Sequence, residues 1–152
     1  MRIVLLEPEI PQNTGSIART AAATRTPLDL IGPLGFSLED RYLKRAGLDY
    51  WPLVDLTVYK NWDEYVSREH QGRLLAFSAR RGRPYVECRF RPDDRLLFGK
   101  ESVGLGAELL DQLEPNVYTI PIEEPGVRSL NLSAAVAIVL YEARRQLGWL
   151  ST

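Results

Sequence analysis

Short apolar runs alternate with helical patterns along the whole sequence, and this alternation is the feature that most constrains the fold. The runs predict six strands, at residues 3–6, 28–31, 54–59, 74–77, 96–98 and 117–120. Strands that alternate with helices at short spacing are typical of βαβ units, in which the strands run parallel and helices cover both faces of the sheet. The sequence therefore predicts a three-layer α/β fold with a mostly parallel sheet.

Helix signals fill the intervals between these runs. Asn13 or Thr14 is expected to cap a first helix, which closes near Pro27. Further helices are predicted at residues 39–46, 62–68, 107–113 and 130–147. Ser129 is a candidate cap for the last of them. Residues 80–94 are rich in arginine and lack a periodic pattern, so we expect an irregular loop inside one domain that spans residues 1–152.

Composition excludes several classes of protein. The chain has 19 Lys and Arg against 20 Asp and Glu, so a nucleic-acid surface would have to be local. The lone Cys88 and the lone His70 form no disulfide and no metal-ligand cluster, and His70 lies in a charged segment where we expect it to be solvated. No run reaches transmembrane length and no signal sequence opens the chain, so we expect a cytoplasmic protein.

Polar, glycine-bearing segments follow three of the predicted strands. They are PEIPQNTGSIART at 8–20, LLFGKESVGLG at 96–106 and IPIEEPGVRSLNLSAAVAIVLYEARRQ at 120–146. The carboxyl ends of parallel strands lie along one edge of a sheet, which is where α/β proteins bind ligands. The glycines let a ligand approach the backbone, but neither a Walker A loop nor a complete dinucleotide fingerprint is present. A nucleoside-type ligand held by backbone contacts is therefore favoured over a phosphate ligand.

Basic surface segments leave two interpretations open. Arginines crowd the irregular loop at positions 80, 81, 83, 89 and 91, with Tyr85 and Phe90 between them. The predicted helix 39–46 adds Arg41, Lys44 and Arg45. Such a surface can bind phosphates while its aromatic side chains stack on bases. It can equally be a solvated surface that Asp93 and Asp94 balance.

Taken together, in order and spacing, the three segments resemble the signature motifs of the SPOUT (α/β-knot) RNA 2′-O-methyltransferases. The resemblance covers nearly the whole chain. The short length without an RNA-binding extension, together with LKRAGLDYW, resembles most the minimal members that methylate the wobble nucleotide, a cytidine or modified uridine at position 34, of leucine tRNAs. The resemblance implies a deep C-terminal trefoil knot, S-adenosylmethionine as cofactor with S-adenosylhomocysteine as product, no metal, a homodimer and tRNA as partner.

The resemblance also assigns residues to the site. It implies cofactor contacts from Phe77, Ser78, Gly99, Glu101, Ile120, Ser129 and Leu130. It implies catalytic roles for Arg19, Ser129 and Asn131, and substrate binding by Asn13, Arg19, Arg41 and Arg128. A guanidinium stays protonated at ordinary pH, so we expect Arg19 to orient the ribose or its phosphate and to stabilise the developing alkoxide, and not to act as a base.

Two departures from the family pattern lie near the ligand loops. The loop between Ser78 and Pro84 carries an extra arginine, and Lys100 stands where proline is common. Three alternatives remain at this point. They are a family member that acts on another tRNA or rRNA position, a non-catalytic RNA-binding module, and a nucleotide-binding α/β domain unrelated to methylation.

Overall fold

Seven strands and five α-helices make up the part of the chain that the computed structural model describes, residues 1–47 and 50–151. The strands are β1 (Arg2–Leu6), β2 (Leu28–Ile31), β3 (Leu56–Tyr59), β4 (Leu74–Phe77), β5 (Arg83–Pro84), β6 (Arg95–Phe98) and β7 (Val117–Thr119). The helices are α1 (Pro11–Thr24), α2 (Arg41–Gly47), α3 (Trp62–Ser67), α4 (Ala107–Leu113) and α5 (Leu132–Gln146). Leu48 and Asp49 of the segment LKRAGLDYW, and Thr152, lie outside the described residues.

The strands form one sheet in the order β3-β2-β1-β6-β4-β7-β5, and all six described strand pairings are parallel. Leu5 of β1 pairs with Leu30 on one side and with Phe98 on the other, and Phe77 of β4 pairs with Phe98. The carboxyl ends of β6, β4 and β7 therefore lie side by side. The predicted α/β fold with a mostly parallel sheet is confirmed.

Helices cover both faces of the sheet. On one face α1 and α5 pack together, and Ile17 and Leu140 belong to the same buried cluster as Ile3. On the other face α3 and α4 contribute Tyr65 and Leu110 to a second buried cluster. The small residues Ala18, Val136 and Ala143 of these two helices are fully buried in this cluster, and the three predicted layers are present.

The starts of two helices differ from the prediction. Helix α1 begins at Pro11 after an extended Ile10, and its cap position makes no side-chain hydrogen bond. The prediction that Asn13 or Thr14 caps α1 was therefore wrong, because proline at the first helical position sets the start earlier. Helix α5 is capped by Asn131, whose side chain accepts from the backbone N–H groups of Ser133 and Ala134, so the prediction for Ser129 was also wrong.

Two further expectations need correction. The segment predicted as an irregular loop contains β5, which pairs with β7 through Arg83 and Pro84. His70 is only partly exposed, because its ring stacks on Tyr65 with 4.1 Å between the ring centroids, and its Nε2 lies 2.7 Å from the Tyr65 carbonyl oxygen. The trefoil knot stays a prediction. None of the helices within 1–47 and 50–151 is long and apolar enough to cross a membrane.

Candidate functional site

A cavity of about 810 Å³ lies at the edge of the sheet where β4, β6 and β7 end. This volume is in the range of small-molecule and cofactor sites. All seven residues expected to contact the cofactor line it, namely Phe77, Ser78, Gly99, Glu101, Ile120, Ser129 and Leu130. Asn13, Arg128 and Asn131 line it as well, so the structure brings residues of all three sequence motifs to one place.

The second motif folds back tightly over the end of β6. The N–H of Gly104 donates to the carbonyl of Lys100 at 2.8 Å, which closes the loop into a turn. A Cβ atom on Gly99 would lie 2.2 Å from the Gly104 carbonyl carbon and 2.4 Å from the Leu105 nitrogen. Glycine is therefore required at position 99 by the close approach of another backbone segment. The returning segment, Gly104 and Leu105, forms part of the cavity wall.

Glu101 fixes this loop to the start of α1. One carboxylate oxygen accepts from the N–H of Glu9 at 2.9 Å, and the other accepts from the N–H of Ile10 at 2.7 Å and from the Asn13 side-chain amide at 3.3 Å. These N–H groups precede the first turn of α1, where a negative charge is favourable. The two oxygens of Glu101 are thus both occupied by groups of the first motif.

A reciprocal contact closes the same junction. The carboxylate of Glu9 accepts from the backbone N–H of Ser102 at 2.8 Å and from its hydroxyl at 2.6 Å. These hydrogen bonds from Ser102 lower the pKa of Glu9, because they stabilise the ionised carboxylate. Lys100 adds a distant ion pair of 3.9 Å with Glu7. Each of the two loops therefore supplies a carboxylate that binds the backbone of the other.

The third motif joins through two asparagines. The Asn131 side-chain amide donates to the Asn13 side-chain oxygen at 3.1 Å. The Asn131 oxygen in turn accepts from the N–H groups of Ser133 at 2.9 Å and Ala134 at 3.3 Å, at the start of α5. Asn13 is 8% exposed, whereas its partner Asn131 is exposed. The side chains of Glu101, Asn13 and Asn131 form a continuous hydrogen-bonded chain across all three motifs.

The arginines expected to bind substrate are not all at the cavity. Arg128 lines it and is exposed. Arg19 is exposed and lies outside the lining, with its guanidinium carbon 4.7 Å from the centre of the Tyr50 ring. Arg41 is also outside and donates to the Tyr42 hydroxyl at 2.8 Å. Within the described chain, the cavity thus contains the expected cofactor residues and one of the three expected substrate arginines.

Sequence reasoning missed several residues of this region. Arg81 lines the cavity and is held by Asp111 at 2.6 Å and Glu114 at 3.2 Å, while Arg80 lines it beside Ser78. The arginine-rich loop was the signal for both, but its pattern did not say which arginines face the site. The pairing of Glu9 with Ser102 had no local signal. In the ranges 1–47 and 50–151, no group of three or more His, Cys, Asp or Glu residues could hold a metal.

Comparison with known proteins identifies the family. The profile described as the SpoU rRNA Methylase family matches residues 1–141. A Saccharophagus degradans protein named tRNA (cytidine(34)-2'-O)-methyltransferase is 45% identical over 148 residues, covering 97% of this chain and 96% of that protein. A solved structure described as "Structural insights into the 2-OH methylation of C/U34 on tRNA" is 51% identical with a TM-score of 0.91, covering 97% of this chain and 95% of that chain.

A more distant solved structure carries a ligand in its description. It is an AdoMet-bound rRNA methyltransferase from Sinorhizobium meliloti, 26% identical with a TM-score of 0.84, covering 96% of this chain and 56% of that chain. The resemblance predicted from the three sequence motifs is confirmed. The match over most of the chain and the cavity built from those motifs lead to one assignment: the chain belongs to the SpoU methylase family and is a methyltransferase.

Proposed function

We propose that this protein transfers a methyl group from S-adenosylmethionine to the ribose 2′-hydroxyl of nucleotide 34, a cytidine or modified uridine, in leucine tRNAs. The observation that carries the proposal is the cavity at the ends of β4, β6 and β7, because the loops of all three motifs line it. Relatives that match nearly the full length are named for cytidine 34 of tRNA, which supports the choice of substrate. The lone cysteine is in keeping with a reducing compartment, and we propose the cytoplasm.

The cavity suits S-adenosylmethionine as a nucleoside-type ligand. Phe77, Leu105, Leu110 and Ile120 provide apolar walls for an adenine ring, and the second loop presents backbone groups beside them. When bound, S-adenosylmethionine supplies a methyl group that the sulfonium charge already activates. In the scheme we propose, the bond from sulfur to the methyl carbon breaks as the bond to the 2′-oxygen forms, the hydroxyl proton passes to water, and S-adenosylhomocysteine is the product; no metal takes part.

The task that remains for the side chains is to align the ribose and to stabilise charge on its 2′-oxygen. We propose that Arg19 does this with its fixed fork of donors, and that Arg128 binds an RNA phosphate at the mouth of the cavity. Ser129 and Leu130 shape the wall against which the cofactor lies. A basic contribution from Arg41 on α2 would extend the RNA surface.

The position of Arg19 supports a homodimer. Because it lies outside the cavity of its own chain, we propose that it reaches the cavity of a second copy. Helix α5 and the residues after it expose apolar side chains that such a dimer would cover, with Ile138 37%, Tyr141 45% and Trp149 39% exposed. A dimer of this kind would place two complete sites across one interface.

Mixed dimers test that arrangement. At S-adenosylmethionine concentrations well below the Kd of the Gly99→Ala variant, Arg19→Ala and Gly99→Ala should each lose most of their turnover. An equimolar mixture refolded together should regain about a quarter of the wild-type activity, since about half of the dimers are mixed and each mixed dimer carries one intact composite site out of two. No recovery in a mixture shown to be dimeric by light scattering would place Arg19 in its own chain's site. A purely monomeric wild-type protein would refute the dimer itself.

Arg19→Lys tests the geometric role of the guanidinium. Lysine keeps the charge but loses the planar fork, so we expect turnover to fall while tRNA affinity stays near the wild-type value. Arg25→Lys, at the exposed end of the same helix, is the matched control. Near-complete turnover by Arg19→Lys, at unchanged tRNA affinity, would show that charge alone suffices.

Three measurements test the function as a whole. Calorimetry should detect S-adenosylmethionine binding by the purified protein, and nucleoside mass spectrometry of tRNA from a deletion strain should show the loss of a ribose methyl at nucleotide 34. No cofactor binding would favour a non-catalytic RNA-binding module. Unchanged tRNA with a methyl group missing from rRNA would instead favour an rRNA substrate, which the description of the family makes the main competitor.

A further inference from the structure

The hydrogen-bonded chain across the three motifs gives Asn13 a role that differs from substrate binding. We propose that Asn13 is a positioning residue, which locks the cofactor loop and the cap of α5 to the start of α1, the helix that carries Arg19. The inference rests on the proposed function for its kinetic consequence. Its structural part can be tested on the protein without cofactor.

The direction of the hydrogen bonds from donor to acceptor supports this role. The Asn13 amide nitrogen donates to Glu101 at 3.3 Å, and its oxygen accepts from the Asn131 amide nitrogen at 3.1 Å. Rotating the Asn13 amide by half a turn would place its oxygen against the Glu101 carboxylate and its nitrogen against the Asn131 donor. Both contacts would then be repulsive, so only one orientation of Asn13 satisfies its two neighbours.

The side chains on either side of Asn13, Glu101 and Asn131, both accept hydrogen bonds from backbone N–H groups. The Glu101 oxygens accept from the N–H groups of Glu9 and Ile10, and the Asn131 oxygen accepts from the first N–H groups of α5. Two helix starts are thereby tied to one polar cluster. Because Asn13 is the only described link between Glu101 and Asn131, removing it would separate the cluster into two independent halves.

The burial of Asn13 increases the effect of losing its hydrogen bonds to Glu101 and Asn131. The Asn13 side chain is 8% exposed, so few water molecules can reach it, although its partner Asn131 is exposed. Truncation to alanine would leave the Asn131 amide without its acceptor and Glu101 with one donor fewer. The start of α1 would keep its contacts with Glu101 and Ser102 but lose its link to Asn131, so the direction of the helix would be less well fixed. Arg19 lies six residues further along α1, where a small change of direction moves its guanidinium.

The kinetic prediction is a separation of turnover from cofactor affinity. Asn13→Ala should lower kcat about 10- to 100-fold, the size expected when a reacting group is displaced by about 1 Å. The Kd for S-adenosylmethionine should stay within about threefold, since 0.65 kcal/mol or less is then at stake in the cavity itself. Gln12→Ala, a neighbour with an exposed side chain on the same helix turn, is the control and should retain wild-type kcat.

A charge test separates this role from a general structural one. Asn13→Asp is nearly isosteric but places a carboxylate against Glu101, so it should be less active than Asn13→Ala. Asn13→Leu is also nearly isosteric but carries no charge, so it should be about as active as Asn13→Ala and more active than Asn13→Asp. An Asn13→Asp variant that is at least as active as Asn13→Leu would overturn the proposal, because a mere loss of packing would not make the charged isostere the worse substitution.

Hydrogen exchange tests the structural part without cofactor. In the unloaded protein, the amides of residues 9 and 10 should exchange at least about tenfold faster in Asn13→Ala than in Gln12→Ala, since their acceptor Glu101 loses its support. Equal exchange rates would overturn the role of Asn13 even if the protein were inactive. Absence of methyl transfer by wild-type protein, with the expected exchange difference present, would instead refute the proposed function and leave the structural link in place.

Discussion

Gly99→Ala is the substitution for which the structure predicts the sharpest effect on cofactor binding. The new Cβ would lie 2.2 Å from the Gly104 carbonyl carbon, whereas ordinary contact begins at 3.4 Å. Main-chain atoms would therefore have to withdraw by about 1.2 Å, and no flexible side chain can absorb the shift. Because Gly104 and Leu105 belong to the cavity wall, the wall moves with them.

The magnitude follows from that displacement. Overpacking of a well-packed region typically costs about 1–3 kcal/mol of folding free energy. A shift of about 1 Å in groups that position a ligand can cost about 100-fold in rate, so we expect the Kd for S-adenosylmethionine to rise at least about tenfold, or about 1.4 kcal/mol. Calorimetry with S-adenosylmethionine and urea unfolding followed by tryptophan fluorescence measure the two quantities separately.

Two other glycines in the same loop provide matched controls. A Cβ on Gly106 would meet nothing within 4 Å, so Gly106→Ala should leave the Kd unchanged and cost less than about 1 kcal/mol as a change of helix cap. Gly104 has equally open space but a φ of 66°, so Gly104→Ala should cost about 1–2 kcal/mol of stability through backbone strain. If Gly99→Ala showed both the Kd and the unfolding free energy of the wild-type protein, the reasoning from backbone contact would be refuted.

Three further predictions concern ionisable groups. Arg2→Ala should lower the free energy of unfolding in urea by about 3–5 kcal/mol, because it leaves the fully buried Asp29 carboxylate without its partner at 2.6 Å. Asp29→Asn should lower it less, since the Arg2 side chain is 33% exposed and can reach water. The reverse order of the two variants would contradict this explanation. Burial raises the pKa of the Cys88 thiol, so native protein should react with a thiol reagent far more slowly than urea-unfolded protein at neutral pH, and equal rates would disprove it. Because Ser102 lowers the pKa of Glu9, their contact should stabilise the fold fully above the usual carboxyl pKa of 4.5 and lose this effect as the pH falls through the lowered pKa. Glu9→Gln should flatten this part of the acid-unfolding curve. An unchanged curve would contradict the prediction.

The order of elements could be predicted from the sequence because each strand is a short, nearly continuous apolar run. β1, β2, β4 and β6 are buried in the middle of the sheet, so apolar residues are required at successive positions. β5 could not be predicted, since Arg83 and Pro84 carry no strand pattern and pair only because β7 lies beside them. One neighbour of β1 could not be predicted from the sequence either, because β6 lies beside it only through tertiary packing.

The site divides in the same way. Motif resemblance located the residues around the cavity, but it did not show that Glu101, Asn13 and Asn131 bind one another. Local capping rules failed at α1 because Pro11 sets the helix start earlier, and a carboxylate from a distant loop binds the N–H groups just before it. The position of Arg19 over Tyr50 was also beyond sequence reasoning, since nothing in either segment encodes the contact.

The sequence separations within the cavity wall have a thermodynamic consequence. Glu101 binds the backbone of Glu9 across 92 positions, and Asn131 binds Asn13 across 118. Such contacts exist only when the whole sheet has assembled, so a partly folded chain has no binding site. A ligand that occupies the cavity therefore binds only the native state. At a free concentration 100 times its Kd, it should raise the free energy of unfolding by about 2.7 kcal/mol. The melting temperature in the presence of S-adenosylmethionine is then a measure of site integrity and of global folding at once.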